Sequence, residues 1–440
     1  MDQGTTAFEQ ALQLAKDDPL DAFISVVDST DAPSQPPSGE LDGIPYAVKD
    51  NIDTADLPTS ANTPTLVGSR REHNHEVVTR LHNAGALLVG KTNLHELAFG
   101  ITTGAAAHPA TRNPFDPSRS PGGSSGGSGA AVGSGIVPFA LATDTGGSVS
   151  IPAAWCGVYG YRPSIGRWPS DGRAAPLSKT RDAIGVIADS LELAQRVDAV
   201  VRDHYSDITP PSKFRVGVPR IDSTYLDPLA DDVQERWNHA VQLLEQSETI
   251  ELVEVDTTKL HELDAACGIG IVLYETARDL SAYLAALPEP VTFEQVRDQA
   301  GADDVRELLT LSWEQRENHD TYREAMKIRE QLRDEWDRLF SEHGITGLLR
   351  PTTPISPTPV GDDITTTAFG QEVPTFSTVI RNTGPGSLAG QPAVTLPVGN
   401  GTAGLPVGVT IDGNRDDDDG LFALATELDT LVGVRSPLLQ

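Results

Sequence analysis

SPGGSSGGSGAAVGSGIVPFALATDTGGSVSIP, residues 120–152, is the stretch around which the rest of the sequence is arranged. It holds two glycine–serine clusters, GGSSGG at 122–127 and TDTGGS at 143–148, with a mostly apolar run between them. Dense glycine marks either a flexible linker or a loop whose backbone N–H groups turn inward around a reacting atom. A linker would stay polar and of low complexity, whereas this stretch continues into the apolar segments GIVPFALA and IPAAWCGVYG. The pattern therefore predicts the floor of an active site.

The composition is that of an acidic chain. Its 440 residues include 63 Asp and Glu against 33 Lys and Arg, and the net charge is −30. Nucleic acids and anionic membranes are bound by basic patches, so we expect neither as a partner. An acidic excess spread along the chain suits a surface solvated at high ionic strength and predicts a halophilic source, with an ordinary acidic cytoplasmic protein as the alternative.

Cysteine usage and the N-terminal sequence indicate a cytoplasmic protein. Cys156 and Cys267 are too few for a disulfide framework or a cysteine metal site. The start, MDQGTTAFEQALQLAKDD, lacks a basic segment followed by an apolar one, and no run approaches twenty apolar residues. We expect no signal peptide, no membrane span, no metal and no cofactor.

Segments typical of strands and helices interleave along the chain, which predicts the α/β class. The apolar, β-branched run IPYAV (44–48) predicts a buried strand that ends at Lys49. Residues 226–343 are predicted to be helical, most clearly over 322–340, where apolar residues recur on one face. The polar, proline-rich segment 31–40 is predicted to be an exposed connection.

Lys49 is unusual because lysine is rarely fully buried without a partner. It could reach solvent or pair with Asp50 or Asp53. Alternatively, burial could disfavour its ammonium form, and a neutral lysine can act as the base for a serine nucleophile. The TDTGGS cluster would then supply consecutive N–H groups for an oxyanion.

Two further motifs match known patterns by letter. Residues 85–92 fit G-x4-G-K-[ST], but the interior ALLV is strand-like, so its N–H groups belong to a sheet rather than to a phosphate. Residues 122–126 fit G-x-S-x-G, which requires a strand immediately before the serine. The prolines of RNPFDPSRSP (112–121) exclude a central strand there. An esterase of the α/β-hydrolase type using Ser124 is thus a weak alternative.

Several motifs in this order resemble the amidase signature family of Ser-cis-Ser-Lys amide hydrolases. The similarity extends from about residue 41 to 430 and is carried by GIPYAVKDNID (43–53), PGGSSGGSGAAV (121–132), ATDTGGSVSIPAAWCGVYGYRPS (142–164), RPTTP (350–354) and GSLAGQPAVTLPVG (386–399).

The resemblance implies one large amidase-signature domain over residues 1–440, with a mixed β-sheet covered by helices on both faces. Within it we expect a helical lead-in (1–40), a catalytic core (41–205), a helical region on the substrate side (226–343) and C-terminal strands with a helix (345–440). The loop near 355–385 is expected to shape the substrate pocket as well.

Carried over residue by residue, the resemblance makes Lys49 the base, Ser124 the cis-serine and Ser148 the nucleophile. Neutral Lys49 would take a proton through Ser124 as Ser148 attacks the amide carbon, and water would hydrolyse the acyl-enzyme. The further residues implied are the oxyanion amides of Thr145, Gly146, Gly147 and Ser148, the pocket segment Ala98–Gly100, and the turn-holding residues Ser125 and Asp144.

This chain departs from the family at Ser150, where arginine is common. The missing guanidinium could weaken the placement of TDTGGS through Asp144 or alter substrate choice, and an inactive binding homologue is an alternative. Within the family, residues 91–102, 113–127 and 176–185 look most like indoleacetamide hydrolases and mandelamide hydrolases. The A subunit of the tRNA-dependent amidotransferase is the other alternative. We expect a small-molecule amide as substrate and allow for a homo-oligomer.

Overall fold

The computed structural model describes residues 3–28, 39–204 and 210–439. The connection predicted over 31–40 therefore lies almost entirely outside the described residues. The β-strands are β1 (Phe23–Val26), β2 (Pro45–Lys49), β3 (Leu87–Thr92), β4 (Phe139–Asp144), β5 (Tyr159–Arg162), β6 (Ala183–Ala188), β7 (Phe214–Pro219), β8 (Ile250–Val255), β9 (Gly347–Pro351), β10 (Thr365–Ala368), β11 (Gln371–Pro374), β12 (Ala393–Asn400) and β13 (Pro406–Gly413).

The α-helices are α1 (Gln3–Lys16), α2 (Glu76–Asn83), α3 (Gly126–Gly133), α4 (Ser150–Trp155), α5 (Leu191–Arg202), α6 (Asp231–Glu245), α7 (Thr258–Ala285), α8 (Phe293–Asp298), α9 (Asp303–Gln315), α10 (His319–His343), α11 (Thr375–Ile380), α12 (Gly384–Ala389) and α13 (Asp418–Val432). Within the described ranges, no helix is both long and apolar enough to cross a membrane.

One eleven-stranded sheet runs through the molecule in the order β1-β3-β2-β4-β6-β5-β12-β13-β9-β7-β8, and β10 and β11 form a separate hairpin. Strand β2 lies parallel to both β3 and β4, whereas β4 and β6 are antiparallel. The sheet is therefore mixed, and the predicted α/β class is confirmed.

Helices cover both faces of this sheet, as the alternation along β4 shows. Phe139 and Leu141 pack into the core that includes α2, α5, α6 and α13. Ala140 and Ala142 point the other way, into the core formed with α1 and α3. Successive side chains of a strand face opposite sides, so the large residues lie under one helical layer and the small ones under the other.

Helix α3 lies very close to the sheet because it consists of small residues. All eight of its residues are buried, and the sequence GGSGAAVG carries no side chain larger than valine. A Cβ at Gly127 would come within 2.4 Å of the Asn93 nitrogen and 2.5 Å of the Ala22 oxygen. The glycines of the first cluster are therefore required by close packing.

The prediction that residues 226–343 are helical is wrong at residues 250–255. These residues form β8, which pairs in parallel with β7 at the edge of the sheet. Parallel neighbours need a crossover connection, and α6 provides it. The run IELVEV is rich in β-branched residues, a strand preference that its helical flanks obscured in the sequence.

Residues 416–419 are four consecutive aspartates, a pattern that in the sequence alone is typical of a solvated turn, but Asp418 departs from it. Asp418 is fully buried. Its carboxylate accepts hydrogen bonds from the Tyr161 hydroxyl at 2.8 Å and from the Ser164 backbone N–H and hydroxyl at 2.8 and 2.6 Å. The carboxylate thus joins the start of α13 to the loop that follows β5.

Candidate active site

Lys49 is the last residue of β2 and is fully buried. Its ammonium nitrogen Nζ lies 2.7 Å from Ser124 Oγ and 2.8 Å from Thr143 Oγ1. Burial lowers the pKa of Lys49 to about 7, because a charged group loses its hydration in the interior, while the charges of Asp144 and Asp182 raise that pKa by less. A neutral amine is therefore accessible at physiological pH.

The suggestion that Lys49 pairs with Asp50 or Asp53 is wrong. Asp50 forms an ion pair with Lys91 at 3.2 Å, and Asp53 forms one with Arg71 at 3.1 Å. Among the residues that the structure describes, no carboxylate lies within ion-pair distance of Lys49. The two neighbouring buried lysines therefore differ in their partners: Lys91 has a carboxylate, and Lys49 has hydroxyls.

The segment 85–92, which matches a phosphate-binding loop by letter, belongs to the sheet, as expected. Residues 87–92 form β3 between β1 and β2. The Leu87 N–H donates to the Ile44 carbonyl, and the Lys91 ammonium also donates to the Ile52 carbonyl and the Thr59 hydroxyl. Its N–H groups and its lysine are thus engaged in the sheet and the adjacent loop.

Ser124 lies in the loop before α3, and the Gly123–Ser124 peptide bond is cis. The side chain is fully buried. The next residue, Ser125, donates its hydroxyl to the Thr143 carbonyl at 3.2 Å and so ties the loop to β4. No strand lies within residues 93–125, all of which are described, so the strand that a nucleophile elbow needs before Ser124 is missing.

Ser148 lies in the loop between β4 and α4, and Asp144 holds this loop. The Asp144 carboxylate accepts the N–H of Gly147 at 2.9 Å and that of Val149 at 2.8 Å. Gly147 adopts φ +126°, a region that L side chains rarely occupy. On the other side, the Thr383 hydroxyl donates to the Gly146 carbonyl at 2.6 Å.

Of the four amides predicted to bind an oxyanion, one already donates a hydrogen bond within the loop. The Gly147 N–H already donates to Asp144. The N–H groups of Thr145, Gly146 and Ser148 have no acceptor among the described residues. Three of the four predicted amides are thus open to a ligand, and Gly147 serves to shape the turn.

The absent arginine at position 150 does not leave Asp144 alone. Ser150 is the first residue of α4 and is buried. A guanidinium nitrogen of Arg162, on β5, lies 3.6 Å from the Asp144 carboxylate, and the Ser387 hydroxyl lies 3.1 Å from it. The loop that carries Ser148 is therefore supported from β5 and α12.

A cavity of about 260 Å³ opens onto Ser148, Thr145 and Gly146. Ala98 and Gly100, the predicted pocket residues, line it too, whereas Lys49 and Ser124 do not line it and are fully buried. The remaining lining residues come mainly from α7, α9, α11 and the loop before β6, and include Leu177, Arg181, Asp264, Ile269, Val272, Leu308, Phe376 and Ile380.

The cavity shows which parts of the predicted substrate-side region, residues 226–343, face the candidate nucleophile Ser148. Within 226–343 only α7 and α9 contribute lining residues, while α6 packs on the sheet. The sequence interpretation missed Thr143, Thr383, Arg181 and Asp264. Thr143 belongs to the TDTGGS cluster and could have been noticed, but a single arginine or aspartate within an amphipathic segment carries no signal of its own.

Comparison with known proteins shows the family. The model of the Amidase family matches residues 21–422. The chain is 37% identical to an indoleacetamide hydrolase from Agrobacterium vitis, covering 90% of this chain and 85% of that protein. It is 35% identical to a mandelamide hydrolase from Pseudomonas putida, covering 94% and 85%.

A solved amidase structure superposes with a TM-score of 0.85 at 30% identity, covering 98% of this chain and 97% of that one. The chain therefore belongs to the Amidase family. Membership of the family confirms two predictions, namely a single large α/β domain of this family and an amide-hydrolysing enzyme.

Proposed function

We propose that this chain hydrolyses a carboxylic amide through an acyl-enzyme on Ser148, with Ser124 and neutral Lys49 as the proton relay. The observation that carries the proposal is the buried Lys49 amine, which lies 2.7 Å from Ser124 Oγ and has no ion-pair partner among the described residues. A base that lacks a counter-ion and has a pKa of about 7 can hold either protonation state near neutral pH.

In the first half-reaction, Ser148 Oγ attacks the amide carbon and its proton passes to Ser124, while the Ser124 proton passes to the Lys49 amine. The tetrahedral oxyanion is stabilised by the N–H groups of Thr145, Gly146 and Ser148. When the C–N bond breaks, Lys49 returns the proton through Ser124 to the leaving nitrogen. Ammonia or an amine departs, and the acyl group stays on Ser148.

In the second half-reaction, a water molecule attacks the ester carbon and its proton follows the same path to Lys49. The proton then returns to Ser148 Oγ as the carboxylic acid is released. The hydroxyls of Ser124 and Ser148, both in the described part of the chain, form no hydrogen bond with each other. The relay requires them to approach when a substrate binds, as catalytic contacts commonly tighten in the bound complex.

We propose that the acyl group of the substrate carries an aromatic ring close to the amide carbonyl. The cavity beside Ser148 is lined mainly by apolar side chains such as Leu177, Val272 and Phe376. Two relatives are named for indoleacetamide and mandelamide, both amides with an aryl group close to the carbonyl. An apolar cavity of this kind gains its affinity from burying such a ring.

In line with the acidic composition, we further propose a halophilic source, a cytoplasmic location, no nucleic acid as a partner, and assembly into a homo-oligomer. Measuring the free energy of unfolding and the oligomeric mass from low salt to molar KCl tests the first and the last of these. A protein that is most stable at low salt would contradict the halophilic origin.

The mechanism is tested by labelling with a fluorophosphonate in molar KCl and mapping the label by mass spectrometry. We expect labelling of Ser148 in the natural chain, its loss in Lys49→Met, and its persistence in the control Ser134→Ala, at the C-terminal end of α3. Ammonia release from phenylacetamide, indole-3-acetamide and mandelamide should follow the same pattern. Labelling of Ser124 instead would favour the elbow hypothesis, and no labelling of a folded sample would favour a binding homologue.

A further inference from the structure

Asp264 is an acidic residue in the wall of the cavity that contains Ser148. It lies on α7 and is partly exposed toward that cavity. None of the described residues donates a hydrogen bond to its carboxylate or forms an ion pair with it. A methyl group at Gly384 would come within 2.9 Å of Asp264 Oδ2, and one at Gly268 within 3.2 Å of Oδ1. The carboxylate therefore lies close to Gly268 on its own helix and to Gly384 on α12.

Arg181 supplies a positive charge that acts on this carboxylate. Its side chain is buried, and Nη1 donates to the Gly268 carbonyl at 2.9 Å. Burial raises the pKa of Asp264 to about 6, and the charge of Arg181 lowers it in part. At neutral pH Asp264 is thus ionised, and it has acceptor capacity that none of the described residues fills.

The other residues of the cavity wall are mainly apolar, so the Asp264 carboxylate can discriminate between acyl groups. Ile269, Val272, Phe376 and Ile380 line the same cavity. An acyl group made only of carbon and hydrogen would displace water from Asp264 and leave its carboxylate without a donor, which is unfavourable. An acyl group that carries an N–H or O–H would replace the displaced water. Sites with an unfilled polar group discriminate strongly against ligands that cannot satisfy it.

We propose that Asp264 is a specificity-determining residue that accepts a hydrogen bond from an N–H or O–H group on the acyl part of the substrate. This inference rests on the proposed amidase function, because it takes the cavity beside Ser148 as the acyl pocket. It narrows the substrate class from aryl amides in general to those whose acyl part bears a hydrogen-bond donor.

The test is equilibrium binding to the Ser148→Ala protein, which keeps amides intact. Isothermal titration calorimetry compares indole-3-acetamide with its benzothiophene analogue, and 4-hydroxyphenylacetamide with phenylacetamide. In Ser148→Ala the donor-bearing member of at least one pair should bind tighter by about 10-fold or more, the typical effect of a hydrogen bond to a charged group. In Ser148→Ala/Asp264→Ala that ratio should fall to about 2-fold or less.

Two further variants distinguish a hydrogen bond to Asp264 from a general change in the shape of the cavity. Asp264→Asn keeps the size and one acceptor oxygen, so a preference of only a few-fold should remain, since charged acceptors form hydrogen bonds roughly twice as strong. Ile269→Ala, from the same wall, should weaken both members of a pair equally and leave their ratio unchanged.

Equal affinities within both pairs in Ser148→Ala, a ratio that survives removal of the Asp264 carboxylate, or no binding of any of the four amides would each overturn the inference. Because binding is measured without turnover, these results are independent of the labelling of Ser148 that tests the proposed function.

Discussion

Replacing Lys49 with methionine should abolish activity and stabilise the fold at neutral pH. The native pKa of about 7 lies about 3.5 below the ordinary lysine value of 10.5, and each pH unit corresponds to about 1.4 kcal/mol. Keeping this lysine buried therefore costs roughly 4 kcal/mol at pH 7. The methionine variant leaves the buried Ser124 hydroxyl without its partner, while Thr143 keeps the amide of Asn51, at a cost of about 1–3 kcal/mol. A net gain of about 1–3 kcal/mol is expected.

The pH dependence of this gain follows from proton uptake. Between pH 7 and 10.5 the unfolded chain holds a proton on Lys49 that the native protein does not hold. The free energy of unfolding of the natural protein therefore rises with pH over this range, while the variant lacks this contribution. The stability advantage of Lys49→Met should shrink by about 3 kcal/mol between pH 7 and pH 9.5.

Urea unfolding at the two pH values measures this, with Lys91→Met as the matched control. Lys91 is equally buried but paired with Asp50, so its removal leaves a buried carboxylate unpaired and should lower the free energy of unfolding by about 3–5 kcal/mol. The two substitutions should thus change stability in opposite directions at pH 7. If the effect of Lys49→Met does not vary with pH, the native lysine is charged at pH 7 and the relay through a neutral Lys49 is refuted. A destabilising effect at pH 7 would refute the energetic cost assigned to burying this lysine.

Three other outcomes are expected. First, kcat/KM should fall about tenfold per pH unit below pH 7 and level off above it, because only the neutral form of Lys49 is a base; a profile flat from pH 5 to 9 would contradict this. Second, Thr383→Val should lower kcat/KM about 10-fold by removing the donor to the Gly146 carbonyl, whereas an unchanged rate would show that the loop holds its shape without it. Third, Asp418→Asn should lower the free energy of unfolding by about 1–3 kcal/mol, measured in urea, since an amide cannot accept all three bonds that the buried carboxylate receives; a change below about 0.5 kcal/mol would mean that the carboxylate is dispensable.

The sequence was informative where local pattern and tertiary structure agree. IPYAV predicted β2 and placed Lys49 at its end, and the two glycine–serine clusters became the loops that carry Ser124 and Ser148. The family resemblance supplied the relation between these three residues. Their mutual distances are a tertiary property, because β2 and the two loops are far apart in the chain.

What the sequence could not predict depends on partners from distant segments. Asp50 directly follows Lys49 in the sequence, yet it pairs with Lys91 on the neighbouring strand. Asp418 looked like a solvated residue in an acidic run, and only the position of Tyr161 and Ser164 shows why it is buried. Asp264 has no local feature that distinguishes it from the many acidic residues on helix surfaces. An aspartate acquires its role from what surrounds it in three dimensions.

The packing of α3 has a consequence for how this protein can change during evolution. Because the backbone of Asn93 and Ala22 occupies the space where a side chain at Gly127 would go, no substitution there can be accommodated by a neighbouring rotamer. A deep mutational scan should show almost complete depletion at this position. The cavity wall on α7, where Asp264 and Ile269 project from a helix rather than from a close-packed turn, should tolerate many residues. New substrate preferences can therefore arise on α7 while the relay beneath it stays fixed.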